Sequence, residues 1–189
     1  AIDGTGLTSP TIYALNDLTI SGFNVIGNGN TSDQNVKVIT TTTFNLELSN
    51  CMIKNAYDGI FIGRSSGEID NVIITNVNTG IFTFCGFDTC KPVIKNSVII
   101  VRPGSGIGIE NFHQGQPTIK NNIILATQYE TSSGIRNVIE LKKLIVENNL
   151  VAGFMLNVDV GVTYDTVKVI NNLIRDYNST NTGLGAIYG

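Results

Sequence analysis

Six times along the chain the same short alternation returns: apolar, any residue, Asn, any residue, apolar, apolar. It reads Leu48-Ser49-Asn50-Cys51-Met52-Ile53, Ile69-Asp70-Asn71-Val72-Ile73-Ile74, Ile94-Lys95-Asn96-Ser97-Val98-Ile99, Ile119-Lys120-Asn121-Asn122-Ile123-Ile124, Val146-Glu147-Asn148-Asn149-Leu150-Val151 and Val169-Ile170-Asn171-Asn172-Leu173-Ile174. An earlier copy, Ile20-Ser21-Gly22-Phe23-Asn24-Val25, has Gly at the Asn position. Gly and Asn most readily take the left-handed αL conformation, so a column holding only these two marks a fixed turn. From position 22 to 171 the intervals are 28, 21, 25, 25, 27 and 23 residues, a superhelical period with loops of variable length. A second column, Gly then an apolar residue, follows each turn: Gly59-Ile60, Gly80-Ile81, Gly106-Ile107, Gly134-Ile135 and Gly183-Leu184. The rung after Asn148 departs, offering Val158-Asp159-Val160-Gly161-Val162 instead. Each coil therefore has at least two strands separated by αL-type turns.

These periods leave few architectures. Helical repeats need apolar spacing near 3.6, which is absent. A propeller blade needs a longer unit, and a sandwich would show hairpin signals rather than a column of turn residues. The expected fold is all-β: a single-stranded right-handed parallel β-helix of about seven to eight rungs, forming one domain over 1–189. Stacking coils about 4.8 Å apart would set Asn50, Asn71, Asn96, Asn121, Asn148 and Asn171 above one another as a hydrogen-bonding ladder.

Composition agrees. Charged residues are only 14% of the 189, against about 25% in an average soluble domain. Ile, Val, Thr, Asn and Gly dominate, as β-structure with special turns requires. A net charge of −3 without any Lys/Arg cluster argues against nucleic acid as a partner. Every apolar run is broken well short of the roughly 20 residues that span a bilayer as a helix, so no transmembrane segment is expected.

The repeat resembles the pectate-lyase-like superfamily of right-handed β-helices, in particular its short repeats of the type apolar-x-Asn-Asn-x-apolar followed by Gly-Ile-x-apolar. The resemblance runs from about Leu18 to Ile187, and Ile2-Asp3-Gly4-Thr5-Gly6 resembles the segment that often opens a coil in polysaccharide-processing members. It implies the fold strongly and function poorly. The hydrolases of that class use paired Asp residues, and the lyases use carboxylate-held calcium with an Arg or Lys base. Asp58, Asp88, Glu110 and Asp159 fall at differing offsets in their rungs, and Arg102-Pro103 is only a fragment of a lyase motif. No catalytic residue, metal site or cofactor is assigned.

The remaining candidates have bland readings beside functional ones. His113, the only histidine, lies between rungs and reads as a loop residue rather than a base. Cys85 and Cys90 could close a small disulfide loop, bind a metal or stay free; export would favour the disulfide. Cys51 shares its column with Val72, Ser97, Asn122, Asn149 and Asn172, which reads as a rim position open to interchain pairing, or else as a buried, inert thiol. Asn30 and Asn178 begin glycosylation sequons. Gly104-Ser105-Gly106-Ile107-Gly108 lacks the helix and Lys of a phosphate loop, and the Thr40–Thr43 run is too local for an ice-binding column. A chain opening at Ala1 fits a processed secreted protein or an excised fragment equally well, while the sequons and the cysteines lean toward an extracellular or cell-surface setting.

One pattern is unexpected for a solvated strand. Neighbouring strand residues point to opposite faces, yet both positions after the turn are apolar in six rungs. The resemblance implies that Ile53, Ile74, Ile99, Ile124, Val151 and Ile174 face the core. Met52, Ile73, Val98, Ile123, Leu150 and Leu173 then face outward, as an assembly face, unless a bend buries both or a loop of the same chain covers them. The final segment, 182–189, reads as one more rung strand rather than a cap, and an open solenoid end invites stacking. The first expectation is therefore a non-catalytic, self-associating structural protein of a fibre, sheath or surface layer. The second is a carbohydrate-active β-helix that takes polysaccharide along Tyr57, Phe61, Phe82, Phe84, Asp58 and Asp88.

Overall fold

The computed structural model describes residues 1–7, 11–14, 17–27, 36–39, 45–64, 66–86, 90–103, 106–138, 141–159, 163–175 and 187–188. Among them every regular element is a strand, and the chain passes repeatedly between two sheets. The smaller sheet stacks Leu18–Ser21, Leu46–Ser49, Glu68–Asp70, Val93–Lys95, Thr118–Lys120, Leu141–Glu147 and Thr163–Ile170. The larger has twelve strands, including Met52–Gly63, Ile73–Phe84, Val98–Val101, Ile107–Phe112, Ile123–Val138, Leu150–Asp159 and Leu173–Arg175. Strands pair parallel with the rungs on either side, as in Ile53↔Ile74 and Ile69↔Ile94, so the molecule is a parallel β-solenoid. It has about five complete turns, fewer than the seven to eight rungs expected. The first and last repeats contribute partial rungs, and 28–35, 40–44 and 176–186 lie outside the described residues.

The core follows from the period. Ile53, Ile74, Ile99, Ile124 and Val151 stack inward from one sheet, and Leu48, Ile69, Ile94, Ile119 and Val146 face them from the other. A third inward column is Ile60, Ile81, Ile109, Ile135 and Val158. All fifteen are at most 2% exposed and belong to one continuous cluster. Each Ile sits above another Ile, so β-branched side chains stiff at χ1 fill the interior in repeating layers.

The turn column is where the repeat placed it. Asn50, Asn71, Asn96, Asn121, Asn148 and Asn171 have φ between 52° and 57°, and Gly22 has φ 77°. The Gly column is different from the expectation. Gly59, Gly80, Gly108 and Gly134 stack in extended backbone; the αL residues ahead of the first two are Asn55 (φ 61°) and Asn76 (φ 54°). The column aligns Gly108 and Ile109, not Gly106 and Ile107, with Gly80 and Ile81. Glycine is needed there for space: a Cβ on Gly59 would stand 2.7 Å from the Gly80 carbonyl oxygen and from Ile74 Cγ2. Ile99 and Ile124 crowd Gly80 and Gly108 in the same way.

Candidate functional site

The Asn column and the column after it divide two tasks expected of one. The αL asparagines are exposed, and their amides bond along the stack only in places: Asn71 Nδ2 to Asn50 Oδ1 (2.8 Å) and Asn121 Nδ2 to Asn96 Oδ1 (3.3 Å). Asn96 Nδ2 turns instead to Asp70 Oδ1 (2.7 Å). The buried ladder is the next column, read from sequence as a rim. There the Ser97 N–H donates to Asn122 Oδ1 (3.0 Å), the Asn122 N–H to Asn149 Oδ1 (2.9 Å) and the Asn149 N–H to Asn172 Oδ1 (2.9 Å). Each side-chain amide then donates to interior carbonyls, Asn149 Nδ2 reaching Ile119 O (3.0 Å) and Glu147 O (3.1 Å). Corner N–H groups have no strand partner, so a carboxamide from the next rung accepts them.

Cys51 occupies this same inner column. It is buried, with Sγ 3.1 Å from Ser49 O and 4.0 Å from Ile20 O. The rim position open to another chain is therefore corrected: the thiol points into the core, and pairing would require the rung to open. A second buried polar ladder was missed altogether. Thr83 Oγ1 donates to Asn111 Oδ1, Asn111 Nδ2 to Asn137 Oδ1 (both 2.8 Å) and Asn137 Nδ2 to Asp159 O (2.7 Å). Its signal, a polar residue two positions after Ile81, Ile109 and Ile135, is visible only once those three are in register.

Outside the solenoid, the apolar ladder lies where the alternation put it. Met52, Ile73, Val98, Ile123, Leu150 and Leu173 pair rung to rung on the outward side. Met52 (37%), Ile73 (40%), Ile123 (40%) and Leu173 (66%) are exposed, while Val98 and Leu150 are half-buried between neighbours. Two residues along each strand runs a second outward column, Lys54, Thr75, Ile100, Leu125, Ala152 and Arg175. Its apolar middle, Ile100, Leu125 and Ala152, widens the strip across the rungs of Val98 to Leu150, with charges only at the two ends. The exposed Asn column forms one border of the strip.

A second surface gathers aromatic residues. Phe61 and Phe82 are cross-strand partners with ring centroids 5.1 Å apart, and Phe82 lies 6.3 Å from Phe112. Phe84 stacks on Phe112 at 5.8 Å, and His113, in αL conformation at the corner, presents its ring edgewise to both. Glu110 pairs with Phe82 in the rung before and with Arg136 in the rung after, its Oε1 3.7 Å from Arg136 Nη1. Burial pushes the Glu110 carboxyl above the ordinary range; Arg136 opposes this and the charge of Asp58 adds to it. Asp58 is itself buried and Tyr57 exposed, and Asp88 lies outside the described residues. Arg102 turns its guanidinium to the Ala56 carbonyl, a structural contact across rungs.

Cys85 and Cys90 form a disulfide with Cα atoms 5.6 Å apart. Asn30 and Asn178, the Thr40–Thr43 run and Gly183-Leu184 lie outside the described residues. Among the described residues no three His, Cys, Asp or Glu converge as a metal site, and no helix is long and apolar enough to cross a membrane. No protein-family model matches the chain, and neither a curated protein nor a solved structure matches it.

Proposed function

We propose that this solenoid is a non-catalytic structural module that self-associates side to side through its outward apolar strip, in an extracellular or cell-surface assembly such as a fibre, sheath or layer. The observation that carries the reading is the ladder Met52–Ile73–Val98–Ile123–Leu150–Leu173, which keeps apolar side chains in positions where an isolated solvated sheet would alternate to polar ones. A second copy of the chain supplies a sheet of the same pitch, so equal rung spacing brings side chain onto side chain along the whole strip. The Cys85–Cys90 disulfide supports an oxidising setting. Sedimentation velocity over a range of protein concentrations tests it. The native chain should associate and an Ile73→Lys/Ile123→Lys variant should stay monomeric with unchanged circular dichroism; a native chain that is monomeric throughout would sink the proposal.

The aromatic row supports a second reading, in which the chain belongs among the pectate-lyase-like β-helices and binds or processes polysaccharide there. Flat stacked rings beside a partly buried carboxylate suit a sugar face. Turnover or retention on acidic polysaccharides, with and without calcium, would favour this reading over self-association.

A further inference from the structure

The corner that joins Ile73–Phe84 to Val93–Lys95 runs through 85–92, whereas the rung before turns in 64–67 and the rung after in 113–117. In spite of its surplus length it keeps step with both. On one side the Cys85 N–H donates to Phe112 O (3.2 Å), the Gln116 N–H to Cys90 O (2.8 Å) and the Thr118 N–H to Pro92 O (2.9 Å). On the other the Lys91 N–H donates to Ser66 Oγ (3.0 Å) and the Val93 N–H to Gly67 O (3.0 Å). The disulfide brings together two residues five apart in sequence, with Cα atoms 5.6 Å apart, and so ties the two ends of the corner. Both cysteines are buried, and the next rung lies directly on them: a Cβ on Gly115 would stand 2.8 Å from Cys85 Sγ. The aromatic row ends here too, because Cys85 follows Phe84 and bonds to the Phe112 carbonyl.

We propose that the Cys85–Cys90 pair is a redox clip: oxidised, it ties together the two ends of this corner beside the row of Phe84, Phe112 and His113; reduced, it releases the corner while the core stays folded. Opening the bond returns conformational freedom to the chain between Phe84 and Val93. The bonds that depend on the positions of Cys85 and Cys90 then weaken first. The inward residues Ile81, Ile94 and Ile109 on the flanking strands are held by the core and not by the clip, so the release is local. Reduction by a dithiol breaks the S–S bond, passes two electrons and two protons to the cysteines and leaves the dithiol as its own cyclic disulfide.

Amide exchange read by mass spectrometry, on the oxidised chain and on the chain reduced with dithiothreitol, tests the clip. Segments containing Cys85 and Gln116 should exchange about tenfold faster or more when reduced, with 144–151 unchanged. Equal exchange in the two states overturns the proposal. Loss of protection along the whole chain also overturns it, since the disulfide would then be a requirement of the entire fold. If the buried bond resists dithiothreitol, a Cys85→Ser/Cys90→Ser variant supplies the same comparison, and its failure to fold counts with the second of those outcomes.

Discussion

Two columns of this solenoid stand one residue apart and both are rich in asparagine, yet they do different work. Asn121 and Asn148 hold an αL turn and face water, and what they require is a backbone conformation. Asn122 and Asn149 face the interior, and what they require is a carboxamide that accepts a corner N–H and donates to carbonyls in other rungs. An exposed polar group can exchange its partner for water at little cost, whereas a buried one cannot. The same amino acid is therefore held by backbone conformation at Asn121 and Asn148 and by its hydrogen bonds at Asn122 and Asn149.

The sharpest way to break this contrast is Asn149→Leu, which keeps the branching at Cγ and removes the chemistry. It strands the Asn122 N–H, takes Asn149 Oδ1 from the Asn122 side-chain amide, and removes one of the donors to the carbonyls of Ile119 and Glu147. At about 1–3 kcal/mol for a buried N–H left unpaired, with the weakened side-chain bonds added, the loss should be about 2–3 kcal/mol. Urea denaturation followed by circular dichroism would read it as a lower midpoint. A loss below that of the surface variants would mean that water replaces the amide and that the inner ladder is not required.

In the outer column Asn121→Ala should cost about 1 kcal/mol, the penalty of placing a Cβ in αL conformation. Asn121→Gly should cost less, because glycine accepts the turn and only the 3.3 Å bond to Asn96 is lost. The order of the three midpoints, Gly above Ala above the inner Leu variant, is the test. Ile123→Thr on the outward strip should move stability by no more than about 0.5 kcal/mol, as surface substitutions usually do. It should nevertheless weaken association in sedimentation, which separates the strip's role from that of either Asn column.

The outer column was legible in the sequence because the αL requirement admits so few residues that Asn and Gly alternate in it openly. The inner column was not, since Cys51, Val72 and Ser97 occupy it in the early rungs and mask its amide role. Cys51 and Ser97 still direct their side chains to backbone carbonyls, Ser49 O and Lys95 O, as the asparagines do. The Gly column was visible but misread, because glycine serves both αL turns and close approach, and only the stacked positions of Ile74, Ile99 and Ile124 reveal which. The outward apolar ladder needed strand alternation together with the resemblance to the β-helix repeats, which said which of the two apolar neighbours faces the core. The aromatic row depended on corners of unequal length, which shift Phe82, Phe84 and Phe112 to different offsets in their rungs.

The mildest prediction repeats the contrast on the other side of the molecule, where Glu110 points outward and its neighbour Asn111 inward. Asn111 is paired on both sides in the second buried ladder; Glu110 is largely covered, with Arg136 at 3.7 Å as its counter-charge. Its native carboxyl holds a proton more tightly than the unfolded chain does, burial being the first cause. Protons therefore bind preferentially to the folded state, and this group's contribution to stability falls as pH rises from the ordinary glutamate range near 4.3 through the raised native value. Glu110→Gln removes the ionisation and keeps the shape. Urea midpoints measured from roughly pH 4 to pH 7 should then lose this downward component, leaving the variant at least as stable as the native chain at neutral pH. An unchanged pH profile in Glu110→Gln would show that this carboxyl carries none of the pH dependence.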